Sequence, residues 1–530
     1  MCLVQYLQEV NVYLKNVDKK YQERPFILKV ANLIDQDPNS NYLISAPTGY
    51  GKTALTFSHS LYQLRHGFKL LAVYPLRTLI ENQLGKLSSF LGSYNLEGSV
   101  SARFMGNPSS PYLIHPITLT TLDTLSLTCL GISPEDMGNV FRDTSDSGVN
   151  SSLGHYMFSW ASVYTSSMIL DEVHLLYDSA KSLSFLWFLL EISRNFGNRV
   201  TLMSATIPST FSKLLTSNTN FKMKYVEFKP EDDQQFYNSR KQKDYEIETL
   251  PLKDDKKFEV IMSKLRESNF HKALIIFNTV SEAVQFYNML GGRNKVLIHS
   301  RFTSEDRKAK SQLVEKISEE KSEDKWVIVG TQAVEAGLDM SSDLLITDLA
   351  PANSLVQRFG RFLRGGEEKG RAVVWYDEDL IQDKSKYKVY DWDLSKATLD
   401  FLERNWKLNL HVDHQAMLDS VYAREPEVDY GLVRKAVAVV TDIVSPTTDA
   451  AKILIQLNGS LVRDGEIFIA KVEDNEVPVG YSYLKKNCVK VIQSDGNEGC
   501  PSSERQAVMM SLRGAKFVVK GQYDKERGLV

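Results

Sequence analysis

Residues 46–53 read Ala46-Pro47-Thr48-Gly49-Tyr50-Gly51-Lys52-Thr53, and they directly follow the apolar run Tyr42–Ser45. A glycine-rich turn between a strand and a helix surrounds a polyphosphate with backbone N–H groups. Lys52 is expected to reach the β- and γ-phosphates, and the Thr53 hydroxyl is expected to hold Mg²⁺. The stretch therefore predicts a phosphate-binding loop (P-loop) within a parallel α/β sheet.

A second polar cluster, Asp171-Glu172-Val173-His174, ends the apolar run Met168–Leu170. Asp171 is expected to hold Mg²⁺ through its water shell, and Glu172 to orient and deprotonate an attacking water. Each segment alone has a plainer alternative. Ala46 replaces the first glycine of the general P-loop pattern, and an acidic pair after a strand is often a solvated turn. Together, in this order, they predict hydrolysis of a nucleoside triphosphate.

Short apolar runs alternate with helical patterns throughout the first two thirds of the chain, which favours parallel sheets. The first series of predicted strands is Tyr42–Ser45, Leu70–Tyr74, Ile117–Thr120, Met168–Leu170 and Thr201–Met203. The second series is Ala273–Phe277, Val296–His299, Val327–Gly330, Leu344–Thr347 and Ala372–Trp375, without a P-loop of its own. Two α/β lobes with a single P-loop imply a shared cleft.

These patterns predict an α/β chain with two tandem RecA-like lobes, a helical linker and a small C-terminal accessory domain. The expected boundaries are residues 1–230 for the first lobe, 231–256 for a polar linker, 257–385 for the second lobe, 386–428 for the helical linker and 429–530 for the accessory domain.

Two further clusters are expected to serve the cleft. Ser204 and Thr206 end the strand after the acidic pair, and their hydroxyls are expected to bind His174 and couple the nucleotide site to the lobe interface. A helix N-cap is the plainer interpretation. Arg358, Arg361 and Arg364 would share one face if their segment is helical, a pattern more typical of a solvated surface. Facing a P-loop, Arg361 and Arg364 would instead stabilise charge on the transferred phosphoryl group.

The composition restricts the class of protein but does not indicate what the protein binds. The chain has 530 residues, 43% hydrophobic and 24% charged, and its charges nearly cancel, since 63 basic minus 66 acidic residues gives −3. Four cysteines without C-x-x-C spacing favour a reducing cytoplasm. Met1–Val10 lacks the pattern of a signal peptide, and the apolar run Phe185–Leu190 is too short to span a bilayer. We therefore expect a cytoplasmic protein that does not contact a membrane.

The ordered motifs resemble those of a superfamily-two helicase of the DExH kind between about Arg24 and Tyr376. Several sequence segments are similar, more specifically, to the CRISPR-associated signature helicase of type I interference systems. They are Phe277-Asn278-Thr279-Val280, His299-Ser300-Arg301-Phe302, Val329-Gly330-Thr331-Gln332-Ala333-Val334-Glu335-Ala336-Gly337-Leu338-Asp339 and Leu345-Ile346-Thr347-Asp348-Leu349-Ala350-Pro351.

The resemblance implies an ATPase that uses ATP and Mg²⁺, is stimulated by single-stranded DNA and moves 3′→5′ on the strand displaced by a guide-RNA surveillance complex. By motif, Gln357 would contact the γ-phosphate and Asp339 the ribose, with Gly337 and Arg358 also at the nucleotide. The single-strand path would be lined by Arg77, Thr121, Asn278, Thr331 and Gln332.

Two departures qualify the resemblance. The family usually carries a nuclease built on a His-Asp pair, but this sequence contains no His-Asp dipeptide. We therefore expect a helicase-only form that leaves DNA cutting to a separate HD-type nuclease subunit. Ile27 also stands where the family has an adenine-reading glutamine.

Three alternatives stay open from sequence. The motor motifs equally suit a DExH helicase of RNA processing or DNA repair. A nucleotide-gated scaffold would close on ATP without unwinding, although Glu172 and the arginines are all present. A stand-alone metal nuclease is disfavoured, since His411-Val412-Asp413-His414 is the nearest approach to a ligand cluster.

Overall fold

The structure is a computed structural model, and it describes residues 5–17, 24–104, 110, 112–132, 156–292, 294–320, 324–335, 337–384, 387, 390–441, 450, 452–454, 456–457, 460, 462, 467–493, 496–512 and 514–530. Two parallel sheets flanked by helices are followed by a smaller mixed sheet. The predicted fold class is therefore confirmed.

The first lobe is a seven-stranded sheet in the order β3-β4-β2-β5-β6-β1-β7, with all its described pairings parallel. Its strands are β1 Asn41–Ser45, β2 Lys69–Tyr74, β3 Val100–Arg103, β4 Ile117–Thr121, β5 Ser166–Leu170, β6 Val200–Ser204 and β7 Met223–Glu227. Its helices are α1 Tyr6–Val17, α2 Pro25–Gln36, α3 Thr53–Arg65, α4 Arg77–Gly92, α5 Leu122–Cys129, α6 Tyr156–Tyr164, α7 Ala180–Phe196 and α8 Ser209–Ser217. The central strands are almost wholly buried because helices cover both faces of the sheet.

The second lobe is a six-stranded parallel sheet in the order β10-β11-β9-β12-β13-β8. Its strands are β8 Ile247–Leu252, β9 Lys272–Ile276, β10 Lys295–Ile298, β11 Trp326–Gly330, β12 Leu344–Asp348 and β13 Arg371–Asp377. Its helices are α10 Lys257–Glu267, α11 Val280–Met289, α12 Ser304–Glu319, α13 Ala352–Phe359 and α14 Glu378–Gln382. The carboxyl ends of both sheets carry the predicted site residues.

The segment predicted as a linker, residues 231–256, is structured instead. It contains helix α9, Gln234–Lys241, and strand β8, which pairs with β13 as the edge of the second sheet. Its sequence, Ile-Glu-Thr-Leu-Pro-Leu, contains two polar residues and a proline. An edge strand tolerates both features because one of its sides carries no ladder partner. The second lobe therefore begins before residue 257.

The remaining residues form two further regions. Helices α15 Trp392–Arg404 and α16 His414–Val421 occupy the predicted helical linker. Helix α17, Tyr430–Thr441, packs on α7 of the first lobe, where Asp429 N donates to Ser184 Oγ over 2.7 Å. The accessory sheet, in the order β15-β14-β18-β16-β17, comprises β14 Ile467–Val472, β15 Asn475–Gly480, β16 Cys488–Gln493, β17 Gly496–Glu498 and β18 Lys516–Val519, with helices α18 Tyr481–Asn487 and α19 Glu504–Leu512.

The C-terminal hairpin, β19 Tyr523–Asp524 and β20 Gly528–Leu529, docks on the second lobe, where Leu529 N donates to Arg301 O. A disulfide joins Cys488 and Cys500, whose Cα atoms lie 5.9 Å apart. This pairing was not predicted from the sequence, which indicated a reducing cytoplasm. Within the described ranges, every helix is too short or too polar to cross a membrane.

Candidate nucleotide site between the two lobes

The P-loop connects β1 to α3, as the sequence predicts. Gly49 and Gly51 have φ angles of +76° and +101°, a region that residues with a Cβ rarely adopt. Lys52 is buried, and its Nζ donates to the Ala46 carbonyl over 3.1 Å, so the ammonium lies inside the loop. Thr53 is the first residue of α3, whose N-terminus faces the same space. This geometry fits a polyphosphate.

The acidic pair follows β5 in a sharp turn. Glu172 has φ +55°, the left-handed region that is strained for a residue with a side chain, and it precedes a 3₁₀ turn at Val173–Leu176. His174 Nδ1 lies 3.2 Å from Glu172 Oε2 and 3.1 Å from Ser204 Oγ. Ser204 Oγ also accepts from Thr206 N. The structure thus brings these predicted site and coupling residues together.

The environment shifts the pKa values of the two carboxyl groups in opposite directions. Burial raises the pKa of Asp171, and the charge of Glu172 adds to the rise. Burial also acts to raise the pKa of Glu172, but the hydrogen bond from His174 and the charges of Lys52 and Arg361 outweigh it and lower that pKa. Glu172 is therefore an ionised acceptor. Asp171 and the Thr53 hydroxyl are oxygen donors suited to Mg²⁺, whose charge would offset the burial cost at Asp171.

The second lobe approaches the P-loop directly through the end of α13. A Cβ placed on Gly360 would lie 2.8 Å from Thr48 Oγ1, closer than real contacts allow. Only glycine fits at this point, so residue 360 sets how closely the lobes approach. Gln357, on α13, is buried, and its Nε2 has no hydrogen-bond partner among the described groups.

The arginines that follow occupy a turn instead of a helix face. Helix α13 ends at Phe359, and Leu363 has φ +48°, so the helical spacing considered for residues 358–364 does not persist. Arg361 donates to the Val334 and Glu335 carbonyls, and its charge reaches Glu172. Arg364 Nη2 lies 3.3 Å from Asp339 Oδ1, and its Nε would lie 3.4 Å from a Cβ on Gly49. Both therefore border the nucleotide site.

Arg358 has a different position from the one predicted. It is fully buried, and its guanidinium donates to Glu335 Oε1, Thr347 Oγ1, Asp348 O, Asn278 Oδ1 and Tyr390 OH at 2.7–3.0 Å. These bonds use all five N–H groups of an arginine. The structure places Arg358 inside the second lobe, where protein groups engage its donors, and the expected contact with nucleotide stays a prediction.

The residues predicted to line the strand path lie at the carboxyl ends of strands, but several are engaged internally. Thr121 Oγ1 accepts from Thr124 N and caps α5. Asn278 Nδ2 donates to Leu349 O, and Gln332 Nε2 donates to the Asn278 carbonyl. Thr331, which begins the turn after β11, is buried.

Arg77 begins α4, its guanidinium 6.0 Å from the Phe104 ring centroid. Gly337, with φ +85°, and the exposed Asp339 follow β11 on the side of the nucleotide site.

Two arginines near the P-loop were not predicted. A Cβ on Gly49 would lie 3.2 Å from Arg240 Nη2, and one on Gly51 would lie 3.9 Å from Arg24 Nε. Arg240 lies on α9, in the segment interpreted as a linker. Asp233 supplied a signal for that helix, because it is the N-cap that accepts from Phe236 N.

Comparisons with known proteins agree with this geometry. Residues 27–214 match the family model described as DEAD/DEAH box helicase, and residues 269–367 match the one described as CRISPR-associated nuclease/helicase Cas3, C-terminal. Residues 27–214 form a DEAD/DEAH box helicase domain. The resemblance to the CRISPR-associated signature helicase, here Cas3, is therefore confirmed.

Two curated Cas3 proteins and a solved structure illustrate the likeness. A putative CRISPR-associated nuclease/helicase Cas3 of Methanocaldococcus jannaschii is 28% identical over 457 residues, covering 78% of this chain and 57% of the relative. A CRISPR-associated helicase Cas3 of Thermoproteus tenax is 25% identical over 410 residues, covering 74% and 65%. The crystal structure of T. fusca Cas3-AMPPNP superposes with a TM-score of 0.66 at 16% identity, covering 99% of this chain and 71% of that one. The chain spans less than two thirds of both curated relatives, and the structural match shows the fold alone.

Proposed function

We propose that this chain is an ATP-driven translocase that moves 3′→5′ on single-stranded DNA in type I CRISPR interference. The observation that carries the proposal is the closure of one lobe over the other lobe's P-loop, with Gly360 against Thr48 and the Arg361 charge acting on Glu172. Hydrolysis at a site between two lobes requires the lobes to close, and release of the products lets them open again. ATP turnover would therefore drive a movement of one lobe relative to the other.

Each side chain has a distinct part in hydrolysis. The P-loop backbone and Lys52 hold the phosphates, while Glu172 orients the attacking water and accepts its proton. Mg²⁺, held by Thr53 and Asp171, would neutralise phosphate charge when bound. Arg361 and Arg364 stabilise the charge that develops on the transferred group, which is strongest in the transition state. Gln357, buried beside them, would contact the γ-phosphate.

Motion would pass through contacts that join the acidic turn to both lobes. His174 contacts Ser204 at the end of β6. Asp178, just beyond the same turn, accepts from Asn353 Nδ2 of the second lobe over 2.6 Å and from Tyr422 OH of the helical region over 3.3 Å. A shift at the nucleotide would therefore pass through Asp178 to α13 of the second lobe and to the helical region.

The proposed DNA substrate and partners are inferred from the names of the relatives. Their names assign Cas3 to CRISPR systems, which supports a guide-RNA surveillance complex as the source of the displaced strand. The T. tenax relative is named a helicase without mention of a nuclease. That name supports the part of the proposal in which a separate HD-type nuclease subunit cuts the DNA.

ATPase measurements with single-stranded DNA, duplex DNA and RNA test the proposal. We expect single-stranded DNA to stimulate hydrolysis and a 3′-tailed duplex to be unwound. Lys52→Ala should abolish both activities with unchanged thermal unfolding, and Lys213→Ala, an exposed lysine on α8, is the matched control. Stimulation by RNA alone would favour RNA processing, while ATP binding without unwinding would favour a nucleotide-gated scaffold.

A further inference from the structure

We propose that Arg240 is an additional ligand of the triphosphate, supplied by the segment between the two lobes; this inference rests on the proposed nucleotide site. Arg240 is buried on α9, and its Nη2 approaches to 3.2 Å the position that a Cβ on Gly49 would occupy. No sequence motif of the helicase includes it. The guanidinium thus lies against the backbone that surrounds the phosphates.

The helix that carries Arg240 is attached to the P-loop itself. Tyr50 OH donates to Asp233 Oδ2 over 2.9 Å, and Asp233 is the N-cap of α9. The Tyr50 ring also packs edge-on against Phe236, with centroids 4.9 Å apart. Phe236 in turn lies 5.2 Å beneath the Arg240 guanidinium. Because a P-loop residue anchors this helix, Arg240 keeps its position beside Gly49.

The charge of Arg240 is opposed by that of Glu367, but no carboxylate in the described ranges lies at ion-pair distance from it. In the described part of the chain, its side chain forms one long hydrogen bond, from Nη1 to the Leu363 carbonyl at 3.5 Å. Burial and the charges of Arg364 and Arg24 lower the pKa of Arg240 to about 10. Arg358, by contrast, has every donor satisfied. A buried cation among like charges is costly unless an anion joins it.

A cavity of about 140 Å³ adjoins Arg240 on the side of Pro47, Phe236 and His411, and it does not include Gly49 or Lys52. The proposed phosphate contact therefore lies at the Gly49 face of the guanidinium, not in this cavity. Phosphate oxygens are the anions for which the adjoining loop is built, and a planar guanidinium binds them through two parallel N–H groups. Arg240 therefore contacts the triphosphate before hydrolysis, and its loss should affect binding more than turnover.

Nucleotide titration of Arg240→Gln tests this role. We expect the Kd for a non-hydrolysable ATP analogue and the KM for ATP to rise about ten-fold, as the loss of one charged hydrogen bond implies, with a smaller change in kcat. The matched control is Lys243→Gln. Lys243 Nζ donates to the Gly365 and Glu367 carbonyls and so holds the same loop without reaching the P-loop. Its nucleotide affinity should stay at the wild-type value.

Each result decides between specific explanations. An unchanged Kd in Arg240→Gln, or an equal loss in Lys243→Gln, would overturn the inference and leave Arg240 as a support of the loop at residues 363–367. If Arg240→Gln does not fold, Arg240→Lys decides, because it keeps the charge but loses the fork; we expect about a three-fold rise in Kd. Wild-type protein that binds ATP but never hydrolyses it would overturn the proposed function instead.

Discussion

The carboxyl ends of the two sheets use polar residues in opposite ways. At the carboxyl end of the first sheet, Lys52 and Glu172 lie near arginines that come partly from other segments of the chain, and the hydrogen bonds among these groups in the described ranges are few. In the second lobe, Arg358 and Asn278 satisfy each other and the surrounding carbonyls. The first arrangement is prepared for a charged ligand, while the second is a closed network that makes its lobe a rigid support.

The Arg361→Ala variant tests whether the second lobe contributes to catalysis at the P-loop of the first lobe. Arg361→Ala should lower kcat about a thousand-fold, the order expected for an arginine that stabilises transition-state charge, with little change in KM. The midpoint of thermal unfolding should move little, because the hydrogen bonds lost in the described part of the chain are those to two carbonyls. Steady-state ATPase assays with single-stranded DNA measure the effect. Unchanged turnover would move this role to Arg364.

Arg358 tests the closed network itself. Arg358→Ala leaves Glu335 buried without its cation, so we expect the free energy of unfolding to fall by about 3 kcal/mol or more. Chemical denaturation followed by circular dichroism measures the loss. Arg307→Ala, which removes bonds to the Ser300 and Phe302 carbonyls of the same lobe, is the control and should cost less. A variant of Arg358 that unfolds normally yet no longer binds ATP would return Arg358 to the nucleotide site.

The Glu172→Gln variant tests the contribution of the first lobe to hydrolysis. Glu172→Gln keeps the shape of the side chain but removes the ionised acceptor, so turnover should fall about a hundred-fold. Nucleotide affinity should be retained, since Lys52 and the P-loop are intact. Comparing kcat with the Kd for a non-hydrolysable ATP analogue separates the two effects. Full turnover in this variant would show that another group activates the water.

Sequence alone was sufficient where the backbone pattern is repetitive. The ten predicted strands of the two lobes are present. Nine of them are central in their sheets, where burial on both faces favours apolar residues, and one, β10, lies at an edge. The three additional strands, β3, β7 and β8, all lie at sheet edges. Edge strands are short and partly polar, so their pattern is close to that of a loop.

The site shows the same division. The P-loop, the acidic turn and the contact between His174 and Ser204 follow from motif order. The roles of Arg358 and Arg240 do not, because they depend on where α13 ends and on a helix in an apparently polar linker. Charge patterns do not distinguish a buried arginine with five partners from one with a single long bond.

Asp178 of the first lobe accepts a hydrogen bond from Asn353 of the second lobe, so its titration should report on the contact between the two lobes. Burial raises the pKa of Asp178 to about 6, against the hydrogen bond from Asn353 and the charge of His174. Since the folded pKa lies above the unfolded value of about 3.9, the native state binds the proton more tightly. The resulting stabilisation is complete below pH 4 and is lost as pH rises through 6. Asp178→Asn should remove about 1–2 kcal/mol of this pH dependence between pH 4 and 6, relative to wild type, in denaturant titrations. Identical slopes in the two proteins would show that the carboxyl group is not buried between the lobes in solution.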